Sequence, residues 1–313
     1  MGLPGHRPGP DPRPGTRSTG SDDVNPLRLE APAKLNLSLR VTGRRPDGYH
    51  EIESLLVLLD LADRLLLMPG CSGLRLDGPA AGGLPIDADN LAWRGLVAGL
   101  DSQPDLACLS VEKQIPVAAG LGGGSSDAAA AWRLGRRWRG AAEGPSADEV
   151  RELSAIGADV PFFAARQAAA VVTGIGEQVE PIQLAASDRL HAVLATPPRP
   201  LSTAAVFAEL KPAEWSTEPA LPLDPLVEAP NDLLGPARRL RPELDDLFRL
   251  VLAAGGVPRL TGSGPTLFVL TDDGDRAAAV AARLRRAGVR VAETRLRTEP
   301  ASIEALSEDE ETP

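Results

Sequence analysis

Twelve residues, Pro116-Val-Ala-Ala-Gly-Leu-Gly-Gly-Gly-Ser-Ser-Asp127, run directly into four alanines, Ala128–Ala131, and no other stretch constrains the chain so tightly. The glycines at 120, 122, 123 and 124 permit positive φ and leave no Cβ between backbone N–H groups and a ligand. Ser125, Ser126 and Asp127 are types favoured at helix N-caps, and alanine is the strongest helix former, so a helix is predicted near 126–138. A glycine loop at a helix start gathers unpaired N–H donors and the positive end of the helix dipole, which suits a polyphosphate. The plainer alternative is a tight turn before an ordinary helix. The order of glycines, hydroxyls and small residues favours the phosphate site.

Neither common phosphate motif is present. A Walker A loop needs Gly-Lys-Ser/Thr, and no Lys follows these glycines; a dinucleotide fingerprint needs a third Gly where Ser125 stands. Upstream, Ala31–Val41 alternates strictly, with Leu35, Leu37, Leu39 and Val41 on one face and Lys34, Asn36, Ser38 and Arg40 on the other. That predicts a half-buried strand carrying a polar row. Pro46-Asp47-Gly48 is a turn signal that delivers Tyr49 and His50 just before the apolar strand Ile52–Leu59. Downstream, Ser146-Ala-Asp-Glu149 reads as a capping box opening a helix that Gly157 closes. Asp159 then stands on a turn past that helix, where an Asp is most often solvated, and Pro161 is expected to extend the chain. Arg259-Leu-Thr-Gly-Ser-Gly264 is a further glycine loop, weak as a bare motif.

Together these segments resemble the GHMP kinases (galactokinase, homoserine, mevalonate and phosphomevalonate kinases), whose loop reads Pro-x-x-x-Gly-Leu-Gly-Ser-Ser-Ala. The extended Gly-Leu-Gly-Gly-Gly-Ser-Ser-Asp form, Pro-Ala-Lys-Leu-Asn-Leu and Gly-x-Arg-x-Asp-Gly-Tyr-His are similar to the branch that acts on a cytidine diphosphate-linked methylerythritol. The loop departs from that branch at Ala118-Ala119, where glycines are frequent. The resemblance spans residues 28–297 and implies an α+β, two-domain fold: a ribosomal-S5-like N-terminal domain, a ferredoxin-like C-terminal domain, and the active site between them. It implies ATP held by Pro116, Val117, Ala118, Ala119, Gly120, Leu121, Gly122, Gly123, Gly124, Ser125 and Ser126. It implies catalytic roles for Lys34 and Asp159, and a small-molecule acceptor bound by Asn36, Tyr49, His50 and Phe207. Mg²⁺ is expected to bridge the phosphates, with Ser126 as a candidate ligand and no protein carboxylate assigned. Arg259–Gly264 resembles the C-terminal loop that closes over the phosphates.

The chemistry explains these residue types. Phosphoryl transfer is catalysed by positioning and charge stabilisation in a dry site, so loop amides, a Lys and an Asp suffice as machinery. Two other readings compete: a GHMP kinase of the homoserine or mevalonate type, against which Gly-Tyr-His speaks, and a non-catalytic nucleotide-binding paralogue, against which the retention of Lys34 and Asp159 speaks.

A length of 313 residues suits one large or two modest domains. Two cysteines, Cys71 and Cys108, argue against a disulfide framework and a structural zinc site. The net charge of −10 argues against a nucleic-acid platform, and no apolar run approaches the ~20 residues of a membrane span. The expectation is a cytoplasmic enzyme, monomer or homodimer, with no membrane or nucleic-acid partner. Residues 1–26, with six Pro and five Gly, read as a disordered extension and 301–313 as an acidic disordered tail. Between them the expected domains are 27–186 and 187–300. Strands are expected at 28–41, 52–59, 64–67, 74–77, 106–113, 168–173, 190–195, 266–270 and 289–293. Helices are expected near 90–100, 126–138, 147–156, 203–210, 232–240, 243–254 and 275–287.

Overall fold

The computed structural model describes residues 25–104, 107–142, 144–184, 189–216 and 223–306. The expected extension (apart from Asn25 and Pro26) and the last seven residues of the expected tail lie outside these.

The turn at Pro46-Asp47-Gly48 closes a long antiparallel hairpin, β1 (Leu27–Arg44) with β2 (His50–Pro69). Two strands are expected where β2 runs unbroken. Its polar interruption is tolerated because the Asp63 carboxylate accepts the N–H groups of Gln114 and Ile115 at 2.5 and 2.8 Å. The chain continues through β3 (Gly73–Asp77), α1 (Leu91–Leu100, capped by Asn90), β4 (Ala107–Glu112) and α2 (Gly123–Trp138). α1 and α2 approach so closely that a Cβ on Gly95 or Gly99 would fall 2.1 or 2.2 Å from the carbonyl oxygens of Ala128 and Trp132. The alanine run is therefore a packing face as well as a helix former.

α3 (Ala147–Ile156) opens with the expected capping box, Ser146 and Glu149 each bonding the other's backbone. Pro161 does not extend the chain. It sits in the first turn of a short helix, α4 (Val160–Ala164), where its missing N–H is no loss. β5 (Ala169–Gly174) and β6 (Gln178–Pro181) follow.

The remaining elements are β7 (His191–Thr196), α5 (Thr203–Glu209), a 3₁₀ turn (Pro212–Glu214), α6 (Leu234–Leu240), α7 (Glu243–Ala253), β8 (Arg259–Leu260), β9 (Leu267–Thr271), α8 (Gly274–Arg286), β10 (Arg290–Arg295) and β11 (Glu304–Ala305). β7 to β10 form an antiparallel sheet in the order β10-β7-β9-β8. With helices between β7 and β8 and between β9 and β10, this is the ferredoxin-like β-α-β-β-α-β arrangement. The other sheet has seven strands. Its path is β11-β1-β2-β4-β3, and β5 pairs with both β2 and β6.

Three further expectations change. β1 is expected to be half-buried, but its polar row is covered too: Lys34, Asn36, Ser38 and Arg40 are all buried, because the second sheet's loops cover that face. Residues 301–306, expected in the acidic tail, pack on the first sheet, with Ala301 and Leu306 buried and β11 paired to Leu27 and Arg28. Cys71 and Cys108, 37 residues apart, are joined by a disulfide with Cα atoms 5.2 Å apart. β4 lies between β2 and β3, so the β2–β3 turn that carries Cys71 is brought beside Cys108. Among the described residues no helix is long and apolar enough to cross a membrane.

Candidate active site

A cavity of about 900 Å³ opens where the hairpin, the glycine loop, the start of α4 and the 259–264 loop converge. Lys34, Asn36, Tyr49, His50, Asp159, Phe207 and every loop residue from Pro116 to Ser125 line it. Ser126 does not. A second groove, about 1210 Å³, runs between the first sheet and residues 295–306, but three of its arginines are already paired, Arg28 with Glu304, Arg64 with Glu112 and Arg297 with Glu30.

The glycine loop starts its helix three residues earlier than side-chain capping preferences suggest. Gly122, at φ 72°, is the N-cap, and the first helical bond runs from Ser126 N–H to Gly122 C=O at 2.9 Å. The N–H groups before Ser126 have no partner within the helix, and α2 adds the positive end of a 16-residue dipole. The early start also decides which serine faces the cavity. Ser125 does, whereas Ser126 turns behind the helix, where its hydroxyl is buried beside Phe163 and Gln167 without a hydrogen-bond partner among the described residues. Of the residues expected to hold the nucleotide, Ser126 is the one whose side chain the structure does not bring to the cavity. Ala118, one of the two non-glycine departures, sits at φ 50°, a left-handed conformation that glycine adopts more readily.

Lys34 is only 3 % exposed. Its backbone N–H donates to Leu121 C=O of the loop at 3.0 Å; its ammonium donates to Asn36 Oδ1 at 2.5 Å and stands 3.6 Å from Asp159 Oδ2. Asp159 occupies the N-cap position of α4 but makes no capping bond, leaving its carboxylate, about a third exposed, to face the cavity. Asn36 is largely used by the protein. Its Oδ1 takes Lys34, its Nδ2 donates to Ser54 Oγ at 2.8 Å, and its N–H donates to Thr261 Oγ1 at 3.1 Å. One amide hydrogen remains for a ligand. The 259–264 loop closes the wall: a Cβ on Gly262 would meet Lys34 Nζ at 3.2 Å.

Tyr49 follows the turn and is 61 % exposed. His50 stacks on Phe207, ring centroids 5.3 Å apart, and α5 is capped by Ser202, whose hydroxyl accepts from Ala205 N–H. Burial first, and the Arg44 charge second, hold the His50 pKa below the ordinary imidazole value. The ring therefore favours its neutral form.

Sequence reasoning missed a buried triad behind the loop. The Lys113 ammonium is hydrogen-bonded to both Asp63 and Asp127, and Lys113 and Asp127 reach the cavity wall. Burial lowers the Lys113 pKa, but the two carboxylates outweigh it and hold it above the usual lysine value. A signal was available. The chain has three lysines against thirty arginines, and two of the three, Lys34 and Lys113, are buried beside the glycine loop.

Comparison with known proteins agrees with this geometry. Residues 90–167 match the GHMP kinases N terminal domain and residues 223–290 match GHMP kinases C terminal. A 4-diphosphocytidyl-2-C-methyl-D-erythritol kinase of Methylorubrum extorquens is 41% identical over 283 residues, 83% of this chain and 95% of that relative. The enzyme of the same name from Paracoccus denitrificans is 40% identical over 276 residues, 83% of this chain and 92% of the relative. A crystal structure of 4-(cytidine 5'-diphospho)-2C-methyl-D-erythritol kinase superposes with a TM-score of 0.69 at 35% identity, covering 86% of this chain and 98% of that one. The chain belongs to the GHMP kinase family, among the 4-diphosphocytidyl-2-C-methyl-D-erythritol kinases.

Proposed function

We propose that the chain transfers the γ-phosphoryl group of ATP to the 2-hydroxyl of 4-diphosphocytidyl-2-C-methyl-D-erythritol, a step of the non-mevalonate route to isoprenoid precursors. The observation that carries this reading is the meeting of Lys34, Asp159 and the glycine loop in one cavity with Tyr49, His50 and Phe207. Loop amides and the α2 dipole hold the ATP phosphates. Asp159 takes or orients the proton of the acceptor hydroxyl, and Lys34, 3.6 Å from it, offsets charge on the transferring group.

Mg²⁺ fits this site as an ion carried by the nucleotide. Among the described residues no three His, Cys, Asp or Glu side chains gather to hold a metal, while the Ser125 hydroxyl and the Asp159 carboxylate line the cavity beside the loop. When bound, the ion supplies positive charge to the phosphate oxygens. On the acceptor side a neutral His50 offers one donor and one acceptor to a cytosine edge, and Phe207 and Tyr49 offer faces for stacking.

Purified protein assayed with ATP and Mg²⁺ should phosphorylate the cytidine-linked acceptor and reject methylerythritol phosphate, homoserine and mevalonate. Lys34→Ala and Asp159→Ala should each lower kcat by ~10²-fold or more while ATP affinity largely survives. Near-normal kcat in both variants, or turnover of homoserine or mevalonate in place of the cytidyl substrate, would refute the proposal.

A further inference from the structure

Three rings meet at the start of β2. His50 is nearly parallel to Phe207, with planes 24° apart, and edge-on to Trp215, with centroids 6.1 Å apart and planes at 87°. His50 and Phe207 line the cavity, whereas Trp215 does not. We propose that Trp215 is a positioning residue of the acceptor's base subsite, bracing the His50 ring against Phe207 from outside the cavity. This rests on the function proposed above.

The segment bearing Trp215 is fixed on both sides. Upstream, Arg239 of α6 donates to Glu209 at 2.7 Å and to both oxygens of Glu214 at 2.6 and 2.9 Å, tying the helix that carries Phe207 to the 3₁₀ turn before Trp215. That hydrogen-bonded guanidinium holds the Glu214 pKa down to about 2. Downstream, the N–H and hydroxyl of Ser216 donate to the Asp232 carboxylate at 2.9 and 2.5 Å. Asp232 Oδ2 also accepts Val41 N–H of β1 at 2.8 Å. The indole is thus anchored to the strand that pairs with the strand of His50, where Arg44 stands directly across from the imidazole.

The indole also packs, partly buried, against the core of the second sheet. The buried Trp215 Nε1 finds no hydrogen-bond partner among the described residues, although a buried tryptophan ordinarily finds one. What the indole does contribute is a dry edge and a fixed plane for His50. Burial is the larger of the two influences that depress the His50 pKa, with Arg44 the other charged group facing it. A neutral imidazole keeps the acceptor nitrogen that an amino-bearing pyrimidine edge can donate to; an imidazolium loses it.

The test compares Trp215→Leu and Trp215→Phe in the full chain. Trp215→Leu should raise KM for the cytidine-linked acceptor about 3- to 10-fold, with kcat and KM for ATP unchanged, and Trp215→Phe should recover most of the loss. The NMR titration of His50 should move upward in Trp215→Leu and stay near wild type in Trp215→Phe. An unmoved His50 titration together with an unmoved acceptor KM overturns the proposal. Should Trp215→Leu fail to fold, the indole N–H resonance of wild-type Trp215, assigned by its loss in Trp215→Phe, decides. It should shift when the acceptor is added and stay still with ATP alone, and no shift with the acceptor overturns the proposal. If the wild type neither binds nor turns over the cytidine-linked acceptor, the proposed function falls first, and the His50 titration then decides the Trp215 contact alone.

Discussion

Asp63 and Asp127 share one ammonium, and the structure shows which of them is the weaker partner. Asp63 collects two backbone N–H groups besides Lys113, whereas Asp127 has Lys113 and one oxygen without a hydrogen-bond partner among the described residues. Burial pushes the Asp127 carboxyl up to about 8, Lys113 opposes the rise, and the Asp63 charge adds to it. Native Asp127 therefore keeps a proton that the unfolded chain releases above its ordinary value of 3.8. Its contribution to stability is complete below that value and declines as pH rises, until the native carboxyl also ionises near 8. Asp127→Asn keeps the shape and an acceptor for Lys113 but carries no titrating proton. Urea midpoints of wild type and variant should coincide near pH 4 and separate in the variant's favour by about pH 8, and parallel profiles would refute this assignment. The triad was hard to read in sequence because Asp63 and Asp127 are 64 positions apart, Asp63 looks like a polar break in an apolar run, and Asp127 looks like a helix cap. Lys34 was easier to read, because it stands inside a recognisable phrase.

At the scale of elements, the start of α2 decides what the glycine loop can do. A Cβ on Gly122 would lie 2.9 Å from Phe163 Cζ and 3.0 Å from Lys34 Cγ, at a φ of 72° that side chains rarely adopt. Gly123 is the first residue inside the helix, and a Cβ there would meet the Ile115 side chain at 3.0 Å. Gly122→Ala should therefore weaken ATP binding by about tenfold or more in a folded protein, and Gly123→Ala should cost distinctly less. Equal affinities for the two variants by calorimetry would show that the N-cap is misplaced. Long periodic elements such as β1, α7 and α8 were legible because a 2- or 3.6-residue pattern repeats within them, and α2 because capping types run into four alanines. The short ones, α4, β8 and β11, were not, since two to five residues carry no period. Pro161 misled for a related reason: its fixed φ suits an extended chain and a first helical turn equally well. Ser126 faces away from the cavity because glycine opened the helix at 123, not a capping side chain at 126, and successive helical residues stand about 100° apart around the axis, so Ser125 and Ser126 point to different sides.

For the whole molecule, the geometry of the proposed site depends on how the two sheets are joined. Lys34 and Asn36 belong to β1, while Thr261 and Gly262 come from the loop after β8, and Asn36 N–H to Thr261 Oγ1 is one link between them. Arg259 is another. From β8 its guanidinium donates to Leu37 C=O of β1 and, at 2.7 Å, to Pro225 C=O, and it lies 4.9 Å over the Phe268 ring. Burial lowers its pKa to about 10, with Glu228 pulling the other way, so it remains a cation at neutral pH. The two links to β1 join residues more than 200 positions apart, beyond the reach of any local pattern, and the sequence offered only Arg259 at the head of a weak glycine motif. Removing the guanidinium would leave two carbonyls without their donor and loosen the loop that faces Lys34. Arg259→Leu should destabilise the fold by about 2–4 kcal/mol and reduce kcat/KM for both substrates. Arg259→Lys, which keeps the charge but cannot span both carbonyls, should fall between that variant and wild type. Urea unfolding monitored beside steady-state kinetics checks both effects. An Arg259→Leu protein with wild-type stability and kinetics would mean that the sheets are joined without this guanidinium. The 259–264 loop would then be held over Lys34 by Thr261 and the Asn231 side chain, whose amide donates to the carbonyls of Leu260 and Gly262 at 2.9 Å.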